Sequence, residues 1–259
     1  MSFQETFLNV RDTKVQMLKG GSGDPLLYLH SAVGEVVWLP FFEQLSQHYT
    51  VYLTGHPGFS KSEGLEKIDT IEDLVFHYTD VMDHLELTQP YVAGLSMGGW
   101  IAAEFATRYP QRIRKLALIC AAGLRVPGSP MTDIFVAPPG DVRHLMFYDG
   151  NSDLAKVFMP DVPSPEVLEN TLKAREASAR VGWNPYFCNP KLRDRLYRIT
   201  VPTLVIWGDS DRLVPLAHGK AYEEGIPGAQ LILIEKCGHA PPFEKPDETA
   251  KALREFFQD

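Results

Sequence analysis

The sequence predicts an α/β protein: a mostly parallel sheet covered by helices on both faces, with one long insertion. Three observations predict it. Short apolar runs alternate with helical patterns from about residue 25 to residue 120 and again after residue 200, as strands joined by crossover helices require. The stretch between, residues 123–195, breaks the alternation and holds 9 of the 20 prolines. The 259 residues, 44% hydrophobic and 22% charged, are ordinary for a globular chain of one large core plus an insertion, and exclude collagen-like, disordered and coiled-coil readings.

The elements follow in order. Thr6 to Val10 and Lys14 to Lys19 flank an Arg11-Asp12-Thr13 turn and read as a hairpin, and Pro25 to Leu29 follows Gly20-Gly21-Ser22-Gly23 as a third strand. Tyr49 to Leu53, Tyr91 to Leu95 and Lys115 to Cys120 are apolar on both faces, the pattern of buried parallel strands. Between Thr70 and Leu87, the residues Ile71, Leu74, Val75, Tyr78, Val81, Met82 and Leu85 recur at three- and four-residue steps, giving a helix with one buried stripe. Thr70 with Asp73 reads as its capping box, with Asp in place of Glu or Gln. Met97 to Tyr109 reads as a second helix. After residue 200 come a strand at Thr203 to Trp207, a helix near Leu216 to Glu224, a strand at Gln230 to Glu235 and a helix near Asp247 to Phe257.

Charge and composition narrow the function classes. A net charge of −8 without any basic run argues against nucleic acid or an anionic membrane surface as partner, leaving a small-molecule substrate. The first ten residues lack the apolar stretch of a secretory signal, no segment approaches the roughly 18 apolar residues of a membrane span, and the 3 cysteines are odd in number. A cytoplasmic location is expected. No His, Cys, Asp or Glu cluster has metal-ligand spacing, so no metal or cofactor is expected.

Gly94-Leu95-Ser96-Met97-Gly98-Gly99 sits where a strand meets a helix. So sharp a turn strains the serine backbone and lifts its hydroxyl above the sheet, and flanking glycines remove side chains that would collide. A serine hydroxyl needs a base oriented by a carboxylate. Asp209 and Asp211 follow one predicted strand and His239 follows the next, both at carboxyl ends of strands, where open α/β sheets place ligands. Among the other 7 histidines, His218 reads as a surface residue, and His48, His77, His84 and His144 need no special role.

These motifs resemble the α/β-hydrolase superfamily over nearly the whole chain. The order Ser96, Asp211, His239 is the family's nucleophile, acid, histidine order. Trp207-Gly208-Asp209-Ser210-Asp211 through Pro215 is similar to W-G-x-x-D-x-x-x-P, which gives the acid role to Asp211, and Gly238-His239 through Pro246 is similar to G-H-x-P-x-x-E-x-P. The resemblance implies an eight-stranded, mostly parallel sheet, a core of residues 1–122 and 196–259, and a helical cap over 123–195. It implies Met97 and Ala32 N–H groups as the oxyanion hole, with Val33 as a substitute for Ala32. Two departures stand out: Ser31 replaces the glycine that commonly follows His30, whose own role is to anchor the loop, and His56 and Ser60 depart from a loop commonly D-x-x-G-x-G-x-S.

Ser31, Val33, Phe135, Phe147 and Trp183 are the expected substrate contacts, and Arg125, Arg143 and Arg180 are candidates to hold a carboxylate. The expected activity is hydrolysis of a small, partly apolar ester, thioester or lactone through an acyl-Ser96, in a monomer or homodimer. The alternatives are a carbon–carbon bond hydrolase of a dienoic keto-acid, against which stand Ser31-Ala32 in place of a Gly-rich loop and Ala240 in place of Trp, and a non-catalytic ligand-binding protein on the same scaffold.

Overall fold

A computed structural model describes residues 3–258; the readings that include Met1, Ser2 and Asp259 lie outside the described residues. Eight strands form one sheet: β1 (Phe3–Val10), β2 (Thr13–Gly20), β3 (Asp24–Leu29), β4 (Tyr49–Thr54), β5 (Tyr91–Leu95), β6 (Lys115–Ile119), β7 (Thr203–Gly208) and β8 (Gln230–Ile234). Their order is β1-β2-β4-β3-β5-β6-β7-β8. The β1–β2 and β2–β4 pairs are antiparallel and all others parallel, so the mostly parallel sheet is as expected. Every residue of β5 and β7 is buried, which is why both read as unbroken apolar runs. The edge strand β8 is largely exposed.

Nine helices flank or extend the sheet among the described residues: α1 (Pro40–Leu45), α2 (Ile71–His84), α3 (Met97–Arg108), α4 (Pro139–Met146), α5 (Asp153–Phe158), α6 (Pro165–Gly182), α7 (Leu216–Gly225), α8 (Pro241–Glu244) and α9 (Pro246–Gln258). Six stripe residues of α2, from Ile71 to Met82, are buried, and Leu85 packs against the core as the C-cap. The capping box is present: Asp73 N–H donates to Thr70 Oγ1 at 3.3 Å and Thr70 N–H to Asp73 Oδ2 at 2.8 Å, a device that contributes about 1 kcal/mol. The short helices α1 and α8 carry no sequence period long enough to read.

Residues 123–195 fall between β6 and β7 and contain α4, α5 and α6. A bridge between Gly123 and Cys188 ties the two ends of this insertion together. Asn189 Nδ2 donates to the buried Glu104 of α3 at 2.8 Å, and Ser178 Oγ of α6 donates to Ala32 O at 2.9 Å. No described helix is long and apolar enough to cross a membrane.

Candidate active site

The parallel strands set the site by where they end. Ser96 follows β5 directly with φ 55° and ψ −113°, a strained turn, and the residue is 7% exposed. Its backbone is over-determined: its N–H donates to Ile119 O at 2.9 Å, and its carbonyl accepts from Trp100 N–H and Ala122 N–H. A side chain at Gly98 would collide with the Leu29 carbonyl and one at Gly94 with the Gly98 carbonyl, so the turn can close only with glycine at both.

The ends of β7 and β8 deliver the partners. His239 Nε2 lies 2.8 Å from Ser96 Oγ, and its Nδ1 lies 2.7 Å from Asp211 Oδ2. Asp211 Oδ1 accepts the N–H groups of Leu213 and Val214, each at 2.9 Å, which aims the second oxygen at the imidazole. Trp207 Nε1 donates to Val214 O at 3.0 Å and pins that loop onto β7. The histidine loop is held by Glu244, which accepts Gly238 N–H at 2.8 Å, and by the His239 N–H donating to Met146 O of the insertion at 2.6 Å. An ionised carboxylate, an imidazole with its Nδ1 proton shared with it, and a serine hydroxyl within reach of Nε2 can transfer a proton and deliver an alkoxide to a carbonyl. Asp209 takes no part: it is exposed and accepts from Ser210 Oγ and the Lys236 N–H.

The remaining histidines divide by burial. His30 and His56 stack with ring centroids 3.6 Å apart beneath the loop after β3. His30 donates from Nδ1 to Ser31 O at 2.7 Å and accepts His56 N–H at Nε2, so both nitrogens are occupied in the neutral ring, and burial pushes its pKa down to about 4. His56 donates from Nε2 to His30 O and accepts from the Tyr78 hydroxyl. His218 corrects the sequence reading: it is 1% exposed, not a surface residue, and Nε2 donates to Ser129 O of the insertion at 2.8 Å. A histidine one helical turn from a proline gives no sequence signal of that burial. Cys120, Asp211 and His239 are the one group of potential metal ligands brought together among the described residues, with ligand atoms within 4.8 Å of one another. Two of them are the hydrogen-bonded pair already described.

A cleft of about 390 Å³, its open mouth included, holds Ser96 and His239 on one side with Ser31, Ala32 and Val33. Its other wall comes from the insertion: Met131, Ile134, Val142, Met146, Tyr186 and Phe187, with Leu213 from the Asp211 loop. Three expected contacts are not among the residues that line the cleft. Phe135 stacks on Phe187 at 5.6 Å, Trp183 packs beside Phe135 and is 63% exposed, and Phe147 is buried with its N–H on Arg143 O. Aromatic size gave no direction, and the walls are largely aliphatic side chains that the sequence reading did not single out. Arg143 is engaged by Met159 O and Asp161, and Arg180 by Leu65 O and Asp69. No Arg or Lys lines the cleft among the described residues.

The comparisons with known proteins agree with this fold. A family model described as the alpha/beta hydrolase fold matches residues 24–246. The chain is 27% identical to a 2-hydroxy-6-oxo-6-phenylhexa-2,4-dienoate hydrolase of Comamonas testosteroni, over 96% of this chain and 93% of that protein. Among solved structures it is similar to a bacterial membrane phospholipase A, with TM-score 0.81 and 26% identity over 99% of this chain and 86% of that one. It shares its fold with the 2-hydroxy-6-oxo-6-phenylhexa-2,4-dienoate hydrolase of Rhodococcus sp. strain RHA1, at TM-score 0.79 and 22% identity over 100% and 99% of the chains. The chain belongs to the alpha/beta hydrolase fold family.

Proposed function

We propose that this hydrolase cleaves a bond beside a carbonyl in a small, largely apolar substrate through an acyl-Ser96 intermediate. The observation that carries this reading is the unbroken relay from Asp211 through His239 to Ser96, at 2.7 and 2.8 Å. His239 Nε2 takes the Ser96 proton as Oγ adds to the carbonyl carbon. The oxyanion is stabilised by the N–H groups of Met97, at the start of α3, and Ala32. His239 then returns the proton to the leaving group, and a water deprotonated by the same imidazole releases the acyl group. The insertion over 123–195 acts as the cap that supplies the apolar wall.

Two bond types fit this machinery. Carbon–carbon hydrolysis of a 2-hydroxy-6-oxo-dienoate is the reading favoured by the relatives, several of which carry that activity in their names at 27 to 29% identity over at least nine-tenths of this chain. It needs the dienol first to become the 2-keto form, losing the hydroxyl proton and taking one at C5, so that C5 then departs as a delocalised enolate that His239 protonates. Ester hydrolysis is favoured by the cleft itself, whose described lining holds no cation to pair with a dienoate carboxylate. Turnover of a phenyl-substituted 2-hydroxy-6-oxo-dienoate, followed by loss of its visible absorbance, is compared with an aryl ester of the same acyl size. A higher kcat/KM for the dienoate supports the first reading; turnover of the ester alone supports the second. Neither being cleaved, or both being cleaved by Ser96→Ala, overturns the proposal.

A further inference from the structure

One buried carboxylate beside the cleft has no task in the mechanism. Glu35 is buried on the loop after β3, and Ser31 occupies both of its oxygens: Oε1 accepts the Ser31 N–H at 2.8 Å and Oε2 accepts the Ser31 hydroxyl at 2.7 Å. Burial pushes the Glu35 carboxyl up, while the two Ser31 bonds pull it back. A carboxylate that takes both donors of one residue sets its backbone and its rotamer together.

The consequence runs through the loop. With its proton directed to Glu35, Ser31 Oγ accepts the Val33 N–H at 3.3 Å. The Ser31 carbonyl accepts from Gly34 N–H at 3.1 Å and from His30 Nδ1 at 2.7 Å. That carbonyl belongs to the same planar peptide as the Ala32 N–H, so holding one end turns the other the opposite way. The N–H groups of Ser31, Val33 and Gly34 are thus engaged inside the loop, while among the hydrogen bonds of the described residues Ala32 N–H donates none.

We infer that Glu35, acting through Ser31, is a positioning residue for the oxyanion hole: it withdraws the Val33 N–H and presents the Ala32 N–H as the second donor. Ser31 stands where a glycine is common because its hydroxyl is one arm of this grip.

The inference rests on Ser96 as nucleophile, and the test separates the two. An alkyl trifluoromethyl ketone bonds to Ser Oγ, passes the serine proton to the histidine and leaves an oxyanion in the same place as the transition state. Its inhibition constant and the kcat and KM for an aryl ester are measured in the wild type, Ser96→Ala, Glu35→Ala and Glu35→Gln. Glu35→Ala is expected to lower kcat and ketone affinity together by about 10- to 100-fold, with KM changed less than about 2-fold. Glu35→Gln keeps the volume and one acceptor for the Ser31 N–H, and is expected to lose about 3- to 10-fold in both; it decides the matter if the alanine variant fails to fold. Wild-type kcat and ketone affinity in a folded Glu35→Gln, or a change in KM alone, overturns the inference. Activity retained in Ser96→Ala overturns the nucleophile reading, and the inference with it.

Discussion

The catalytic side of the cleft and its opposite wall are built on different principles. Ser96, Asp211 and His239 follow β5, β7 and β8, where sheet hydrogen bonds and buried neighbours leave each backbone one position. The opposite wall belongs to the insertion, which is held to the rest of the chain by side-chain and loop hydrogen bonds, such as Asn189 to Glu104, Ser178 to Ala32, Arg212 to the 144–148 carbonyls and Met146 to His239, and not by a strand ladder. The insertion also leaves Val136, Val157, Val162, Leu172 and Trp183 exposed, while the strands β5 to β7 bury nearly every residue. Strand ends fix the backbones of the reacting groups; a segment outside the ladder can vary its lining side chains without disturbing them. Under the proposed function the chemistry belongs to the sheet and the substrate choice to the insertion.

That division is broken or sharpened by substitution. The largest expected effect is at Ser96: Ser96→Ala is expected to lower kcat by about 10⁶-fold, as loss of a nucleophile does elsewhere, with the melting temperature within about 2 °C of wild type. Asp211→Asn leaves the shape intact but offers the histidine the wrong partner, and kcat is expected to fall about 10⁴-fold, while Asp209→Asn stays within about 2-fold. Equal losses in the two Asp variants contradict the assignment. On the insertion side, Ile134→Ala and Phe187→Ala are expected to change the ratio of kcat/KM between large and small acyl groups by about 10- to 100-fold, with kcat for the smallest ester nearly unchanged. Trp183→Ala is expected to move kcat/KM by less than about 2-fold, because that side chain faces solvent.

The core also sets the response to pH. Burial pushes His30 down to about 4 and lowers His56 and His218, so each stays neutral in the fold while the unfolded chain takes up its proton near pH 6.5. The unfolded state then binds more protons as pH falls. Stability is expected to be complete above about pH 7 and to be lost between about pH 6.5 and 4, by up to about 1.4 kcal/mol per pH unit for His30 alone. The raised carboxyls of Glu35 and Glu244 act in the opposite sense and blunt the fall. Urea melts at pH 7.5 and 5.0 measure it; equal midpoints contradict the picture.

Much of the sheet was readable because a buried parallel strand is apolar on both faces, and Tyr91 to Leu95 ends where its hydrogen bonds end. The Ser96 turn was readable because a strained strand-to-helix corner tolerates few sequences. Asp211 could be separated from Asp209 only by resemblance, since nothing in the spacing says that one carboxylate accepts Leu213 and Val214 N–H while the other turns to Lys236. Ser31 and Val33 are legible as cleft residues from their loop, but the insertion's part of the lining is not. Phe135, Phe147 and Trp183 are large and apolar, yet no sequence period there fixes which side chain points inward. His218 was misread for the same reason, as its burial depends on Ser129, far away in sequence. Glu35 gave no signal at all until its contacts with Ser31 were seen.

In the proposed reaction Ser96 Oγ is the atom that attacks. The most direct measurement is intact-mass and peptide analysis after rapid quenching with a slow aryl ester. The account predicts one acyl group per chain on Ser96, formed in the wild type and absent in Ser96→Ala and His239→Ala. An acyl group on another residue, or steady turnover with none at Ser96 under conditions where release limits the rate, contradicts it.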